Sequence, residues 1–222
     1  MSAADVNVTR FVLETVAAEI VEKETYFGDL DAVVGDGDFG FSLARGFEKV
    51  LEDLPDYPTQ SAAAMIQAAA MTISSRVGGT SGPIWGTGFL RAAMTAKTAE
   101  SLDGATVVSM LRAAVEGIQA RGKAELGDKT LLDALVPATD ALEEAIAAGA
   151  DSSAAVQRFA QEMRAAAERT TQLQARRGRA SYSGERSIGS PDAGAVALAV
   201  LAERVADRWP ERQGGDASPR KE

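Results

Sequence analysis

The chain has 222 residues, a net charge of −9 and a pI near 4.7, a balance that argues against nucleic acid or an anionic membrane surface as a main partner. It contains no cysteine and no histidine. That excludes Ser-His-Asp and Cys-His nucleophilic centres, zinc sites built on those ligands, and any phosphohistidine intermediate, leaving carboxylate and metal chemistry.

Apolar residues recur at helical spacing almost throughout, and no comparable run alternates like a strand. The spacing predicts eight helices. The first, near 5–26, carries Phe11, Val12, Val16 and Ile20; the second, near 41–54, carries Leu43, Phe47, Val50 and Leu54. Between them lies a loop in which Asp31, Asp36 and Asp38 are threaded with Gly35, Gly37 and Gly40. A third helix near 60–77 (Met65, Ile66, Ala69, Ile73) leads to the loop from Gly78 to Pro83. Helices near 83–98 and 105–121 follow, the latter with Val107, Val108, Leu111, Val115 and Ile118, and then a loop from Arg121 to Thr130. Helices near 130–148 and 152–174 precede a long loop with Arg176, Arg177, Arg179 and Arg186, and a last helix is expected near 193–209. Many helix faces are rich in alanine and only 5% of residues are aromatic, so the core is expected to consist of many slim contacts. Residues 1–209 read as one domain, and the polar stretch 210–222 as a disordered tail. The longest apolar run, around Ala195 to Ala202, falls well short of the ~18 residues of a membrane span. No charged segment followed by an apolar one opens the chain. A soluble, cytoplasmic protein is expected.

In an up-and-down bundle of these helices, loops 1–2, 3–4, 5–6 and 7–8 emerge at one end. These are the four compositionally unusual loops, so they should form a single surface. On a continuous helix Asp36 would point about 140° away from Asp31 at ~100° per residue, so the three acids converge only where the backbone turns. Converged carboxylates ~5 Å apart repel by ~3 kcal/mol per pair at an effective dielectric of ~20. A divalent cation is the simplest remedy, and an all-oxygen donor set points to Mg²⁺ or Mn²⁺. The plainer alternative is that Asp38 caps a helix. The second loop offers backbone amides and hydroxyls for an anion, or equally a helix end followed by Pro83. The arginine run of the fourth loop faces a phosphate or docks a partner. Familiar signatures fail on particular residues. In the dinucleotide pattern from Gly35 to Gly40, Asp36 and Asp38 would repel pyrophosphate. An EF-hand would need a glutamate where Gly40, Ser42 or Phe47 stands. The near P-loop from Gly117 to Ala124 lacks both its hydroxyl and a preceding strand.

Taken together, these blocks resemble the nucleotide-binding L subunit of dihydroxyacetone (glycerone) kinases over residues ~5 to ~208. The matching pieces are Leu30-Asp31-x4-Asp36-Gly-Asp38-x-Gly40, Ala44 to Phe47, Val77 to Pro83, Arg121 to Glu125, Gly127 to Thr130, and Gly178 to Tyr182 leading to Gly184 to Gly189. The resemblance implies an all-α, eight-helix antiparallel up-and-down barrel that holds ADP or ATP at one end. It implies two Mg²⁺ ions with Asp31, Asp36 and Asp38 as metal ligands. Nucleotide contacts carried over from it fall on Phe39, Gly40, Phe41, Ser42, Thr80, Ser81, Gly122, Leu131, Arg179, Asp192, Ala193 and Gly194. Arg179 is the catalytic candidate, placed to stabilise the transferring phosphoryl group. Three positions depart from the family pattern: Phe39 replaces a usual histidine, Ser42 a frequent asparagine and Ala193 a frequent proline. In the resembled family a separate K subunit holds the ketose through a histidine, so this chain implies such a partner. It also implies a phosphotransferase-system M-type protein that recharges bound ADP from phosphoenolpyruvate. Two alternatives stay open at this stage: a kinase subunit for another short ketose, or a nucleotide-state sensor that docks on a transcription regulator.

Overall fold

A computed structural model describes residues 2–211. Within them the chain forms α1 (Ala3–Glu22), α2 (Glu24–Ala32), α3 (Phe39–Asp53), α4 (Ala62–Arg76), α5 (Ser81–Thr98), α6 (Gly104–Gly122), α7 (Leu132–Ala147), α8 (Ser152–Arg169) and α9 (Ala193–Arg208). No strand occurs among the described residues. The expected first helix over 5–26 breaks at Lys23, and its continuation α2 runs on to Ala32. Asp31 therefore leaves from the last turn of a helix rather than from a free loop. The long fourth loop is also more ordered than its composition suggests, winding into 3-10 turns over Arg179–Ser187 with a bend at Gly184. Of the expected tail, Pro210 and Glu211 extend the last helix in a short 3-10 turn; residues 212–222 lie outside the described residues.

Neighbouring helices in sequence are neighbours in space from α3 to α9. α1 closes the ring by packing on both α3 and α9, where Glu19 pairs with Arg204 at 3.2 Å and Arg208 donates to the Thr15 hydroxyl at 3.0 Å. If α1 and α2 count as one broken staff, this is the expected eight-membered up-and-down barrel. Its core falls into two large adjoining groups. One is bulky, with Phe27, Phe47, Leu43, Met65, Ile73 and Trp85. The other, between α6 and α9, surrounds Leu132 and Met163 with alanines such as Ala134, Ala138, Ala166, Ala167, Ala195 and Ala199, which lets helices approach closely at the cost of fewer contacts per residue.

Helix starts differ between the two ends of the barrel. At the plain end, α1, α4, α6 and α8 begin on Ser2, Ser61, Asp103 and Asp151, and each side chain accepts a hydrogen bond from a first-turn amide. Such caps satisfy donors that a helix leaves unpaired. Those bonds hold the Asp103 carboxyl below its usual range, and Asp5 is likewise lowered, chiefly by the Ser2 amide. At the loop-rich end, α3 and α5 begin on Asp38 and Thr80 with no side-chain cap.

Candidate functional site

The first loop is built around Asp31. Its backbone carbonyl accepts from the Gly35 amide at 2.6 Å, and its carboxylate accepts from the Gly37 amide at 2.9 Å, so the chain turns tightly around one acid and carries the next two back toward it. α3 then crosses close to α2: a Cβ on Gly40 would collide with the Glu24 carbonyl and the Gly28 amide. Asp31, Asp36 and Asp38 each bring a carboxylate oxygen within 4.8 Å of the other two. Asp38 stands at the start of α3 without capping it, so the plainer alternative for this residue does not hold. Three clustered oxygen donors, two of them on half-exposed side chains, suit a hard divalent cation.

The second and fourth loops gather on this one, and the third joins them through the fourth. Arg179 of the fourth loop reaches between the acids, pairing with Asp36 and, at 2.9 Å, with Asp38. Ser183 Oγ donates to the Val34 carbonyl at 3.0 Å. In the second loop Gly79 has a φ of +61°, and its Cα faces the Arg179 guanidinium so closely that a Cβ would stand 3.6 Å from Nη2. Glycine is the residue that takes this backbone shape without strain. A Cβ on Gly78 would stand 3.2 Å from Ser42 Oγ. Thr80 and Ser81 begin α5 directly after the glycine that faces Arg179, while Gly40, Phe41 and Ser42 lie in the first turn of α3. α5 starts at Ser81, ahead of Pro83, which occupies its first turn.

Several expected contacts are placed differently. The Phe39 side chain turns into the core against Phe27, with ring centroids 6.3 Å apart, so at this position only the backbone faces the loops. Phe41 is exposed and lies under the Arg45 guanidinium, 5.2 Å from its ring centroid. Gly122 abuts Ile84 of α5. Leu131 packs against Gly194, and Asp192 caps α9 by accepting from the Ala195 amide at 2.8 Å. Leu131, Asp192, Ala193 and Gly194 thus form a group of their own at the starts of α7 and α9. Burial away from water pushes the Asp192 carboxyl up to about 7, with Asp133 adding to the rise and the Ala195 amide and the Lys129 ammonium opposing it.

Sequence reasoning assigned no role to Asp128 and Lys129, which tie the third loop to the fourth, or to Asp133, which holds the third loop itself. Asp128 accepts from the Glu125 amide at 3.0 Å and from Arg177 Nε at 2.8 Å. Both contacts hold its carboxyl below the usual range. Asp133 accepts from the amides of Gly127 and Thr130 at 2.6 and 2.7 Å. Lys129 is 3% exposed and takes a left-handed backbone, φ 61°. The Gly127 to Thr130 block was visible as a unit, yet no sequence signal marks a lysine as buried.

A closed helical barrel with acids, an arginine and the uncapped starts of α3 and α5 at one end defines a domain shaped to hold a cation together with an anionic ligand. Residues 33–207 match the DAK2 domain, and the chain belongs to that family. It is 39% identical over 181 residues to the ADP-binding subunit DhaL of the PEP-dependent dihydroxyacetone kinase of Escherichia coli, covering 82% of this chain and 86% of that one. The L-erythrulose kinase of Pectobacterium atrosepticum is 36% identical over 84% of this chain, which spans only 32% of that longer protein. In structure the chain resembles the dihydroxyacetone kinase of C. freundii in complex with AMP-PNP and Mg²⁺, with a TM-score of 0.74 and 26% identity. That match covers 90% of this chain and 33% of the other. No helix among the described residues is long and apolar enough to cross a membrane.

Proposed function

We propose that this chain is the ADP- and ATP-binding subunit of a dihydroxyacetone kinase, passing a phosphoryl group from bound nucleotide to a ketose held by a separate K-type subunit. The observation that carries this reading is the meeting of the carboxylate cluster, Arg179 and the uncapped starts of α3 and α5 at one end of the barrel. Relatives described as ADP-binding DhaL subunits support it across nearly their whole length.

Asp31, Asp36 and Asp38 would hold Mg²⁺, two ions in our reading, which neutralises phosphate charge as phosphoryl transfer requires. The first-turn amides of α3, around Gly40 to Ser42, and of α5, at Thr80 and Ser81, donate to phosphate oxygens where the helix dipoles favour negative charge. Arg179 sits at the junction of these groups and stabilises charge on the transferring phosphoryl. Phe39 contributes through its backbone, and Gly122, Leu131 and the Asp192 to Gly194 turn bound the remaining nucleotide surface. The chain has no histidine with which to hold a ketose covalently, so the acceptor comes on the partner. Relatives named as PEP-dependent or PTS-dependent kinase subunits favour an M-type phosphotransferase-system protein as the donor that recharges bound ADP, in the cytoplasm.

Reconstitution tests this reading. The purified chain with Mg²⁺, ATP and dihydroxyacetone should give no ketose phosphate, and addition of a K-type subunit should restore transfer. Turnover by the isolated chain, or none with any K-type subunit, would overturn it. Supplying phosphoenolpyruvate and the phosphotransferase proteins in place of ATP separates the two donors.

A further inference from the structure

We propose that Asp128 and Lys129 form a clamp that closes the fourth loop and thereby positions Arg179; both act through that arginine and touch no reacting atom. Lys129 Nζ donates to three backbone carbonyls, those of Leu173 at 3.0 Å, Ser190 at 2.6 Å and Ser187. An ammonium has three protons, and all three are used. The acceptors lie at the two ends of the segment that carries Arg177 and Arg179: Leu173 just before it, Ser187 and Ser190 just after. One buried side chain therefore ties both ends of the loop to a single point on the third loop.

Asp128 adds two bonds between those ends. Its carbonyl accepts from the Arg176 amide at 3.0 Å and its carboxylate from Arg177 Nε. Arg179 lies two residues further on and reaches Asp36 and Asp38 from there. The Ser187 hydroxyl completes the closure, accepting from the Ala175 amide at 2.9 Å and donating to the Gly184 carbonyl at 2.6 Å.

The chemistry of the clamp explains why a lysine stands there. A loop that turns back on itself within the fold exposes carbonyls with no helix or sheet partner, and each such oxygen is costly to bury unpaired. A neutral side chain could satisfy one or two of them. The ammonium satisfies three with charge-assisted bonds, although burial pushes its pKa down from the usual lysine value, an effect the Asp192 carboxylate offsets. No carboxylate lies within ion-pairing distance of Nζ among the described residues, so the carbonyls are its direct partners.

The proposal rests on the phosphotransfer reading only for its kinetic half, so the experiment has two readouts. Hydrogen exchange on the full chain is the first. Lys129→Met should speed exchange of amides between Arg176 and Ser190 while the helices keep their protection. Unchanged loop exchange overturns the clamp, whether or not the chain transfers phosphate. The second is transfer with a K-type subunit. A misplacement of about 1 Å can cost on the order of 10²-fold in rate, so Lys129→Met should lower kcat by about that factor with little change in ADP affinity. In an Arg179→Ala background the same substitution should add almost nothing, because the group being positioned is gone. Losses that multiply in the double variant would mean that Lys129 acts independently of Arg179 and would overturn the proposal. If Lys129→Met does not fold, Arg177→Gln opens the Asp128 half from the surface and is held to the same two criteria.

Discussion

Replacing Asp36 by asparagine separates what the carboxylate cluster costs the fold from what it contributes with a ligand. In the structure Asp36 lies within 4.8 Å of two like charges and pairs with Arg179. A charge pair at that separation is worth about 1 kcal/mol at the dielectric of water and about 3.5 at an effective value of 20. Asp36 and Arg179 are each about half exposed, which places these interactions near the lower figure. The substitution relieves two repulsions and gives up one attraction of similar size. Without ligand, Asp36→Asn should therefore match the parent to within about 1 kcal/mol, or exceed it. With Mg²⁺ and ADP the outcome reverses. A ligand at a hundredfold excess over its Kd stabilises by about 2.7 kcal/mol, which for a chain of this size raises Tm by roughly 5–10 °C. The parent should show that shift only when Mg²⁺ and ADP are present together, and Asp36→Asn should lose it. Thermal melts with each ligand alone, both, and both plus chelator decide the matter. An Asp36→Asn protein that is much less stable without ligand, or that keeps the joint shift, would refute the reasoning.

Arg179→Ala should cut phosphoryl transfer by about 10³ or more, as loss of a transition-state arginine does, with ADP affinity nearly unchanged. Arg176→Ala serves as the control for lost charge nearby, and single-turnover rates at saturating nucleotide separate the two. Equal, purely affinity-based effects would reduce Arg179 to one member of a positive patch. Asp192 yields a pH prediction. With a folded pKa of about 7 against 3.8 unfolded, the folded state binds the extra proton between those values, so this group's stabilisation is lost as pH rises through that window. Asp192→Asn keeps a capping oxygen and cannot ionise. It should raise Tm relative to the parent at pH 8 more than at pH 5, and a difference that is flat with pH would contradict the raised pKa.

Much of the molecule was legible because two simple periodicities govern it. The 3.6-residue recurrence of apolar residues located the helices, and the alternation of plain and unusual loops placed the latter at one end, as the contacts of Gly78 with Ser42, Gly79 with Arg179 and Ser183 with Val34 bear out. The convergence of Asp31, Asp36 and Asp38 was legible from the three glycines that let the backbone turn, and the repulsion it entails is what pointed to a cation. What escaped was tertiary in origin. The break at Lys23 lies in a stretch whose apolar spacing continues past it. Phe39 entered the site through the family resemblance, at a position where histidine is usual, yet its ring packs against Phe27 and the core. Lys129 could not be singled out, since its partners are backbone carbonyls some 44 to 61 residues distant in the chain.

The arginine lodged between Asp36 and Asp38 has a consequence for how the end of the barrel is loaded. A guanidinium already compensates the acids, so under the proposed metal role an arriving cation would compete with an internal counter-ion, its apparent affinity lowered by the fraction of molecules in which Arg179 is docked. Each displacement would free a positive charge near the uncapped starts of α3 and α5, the proposed anion donors. Cation and anion would therefore favour each other by linkage, and by the same factor in both directions. In the proposed role the side chain would be a tethered competitor for the cation and a tethered partner for the anion, two effects that oppose each other when Arg179 is removed, so the pair of ligands, rather than either alone, would be the species the site selects.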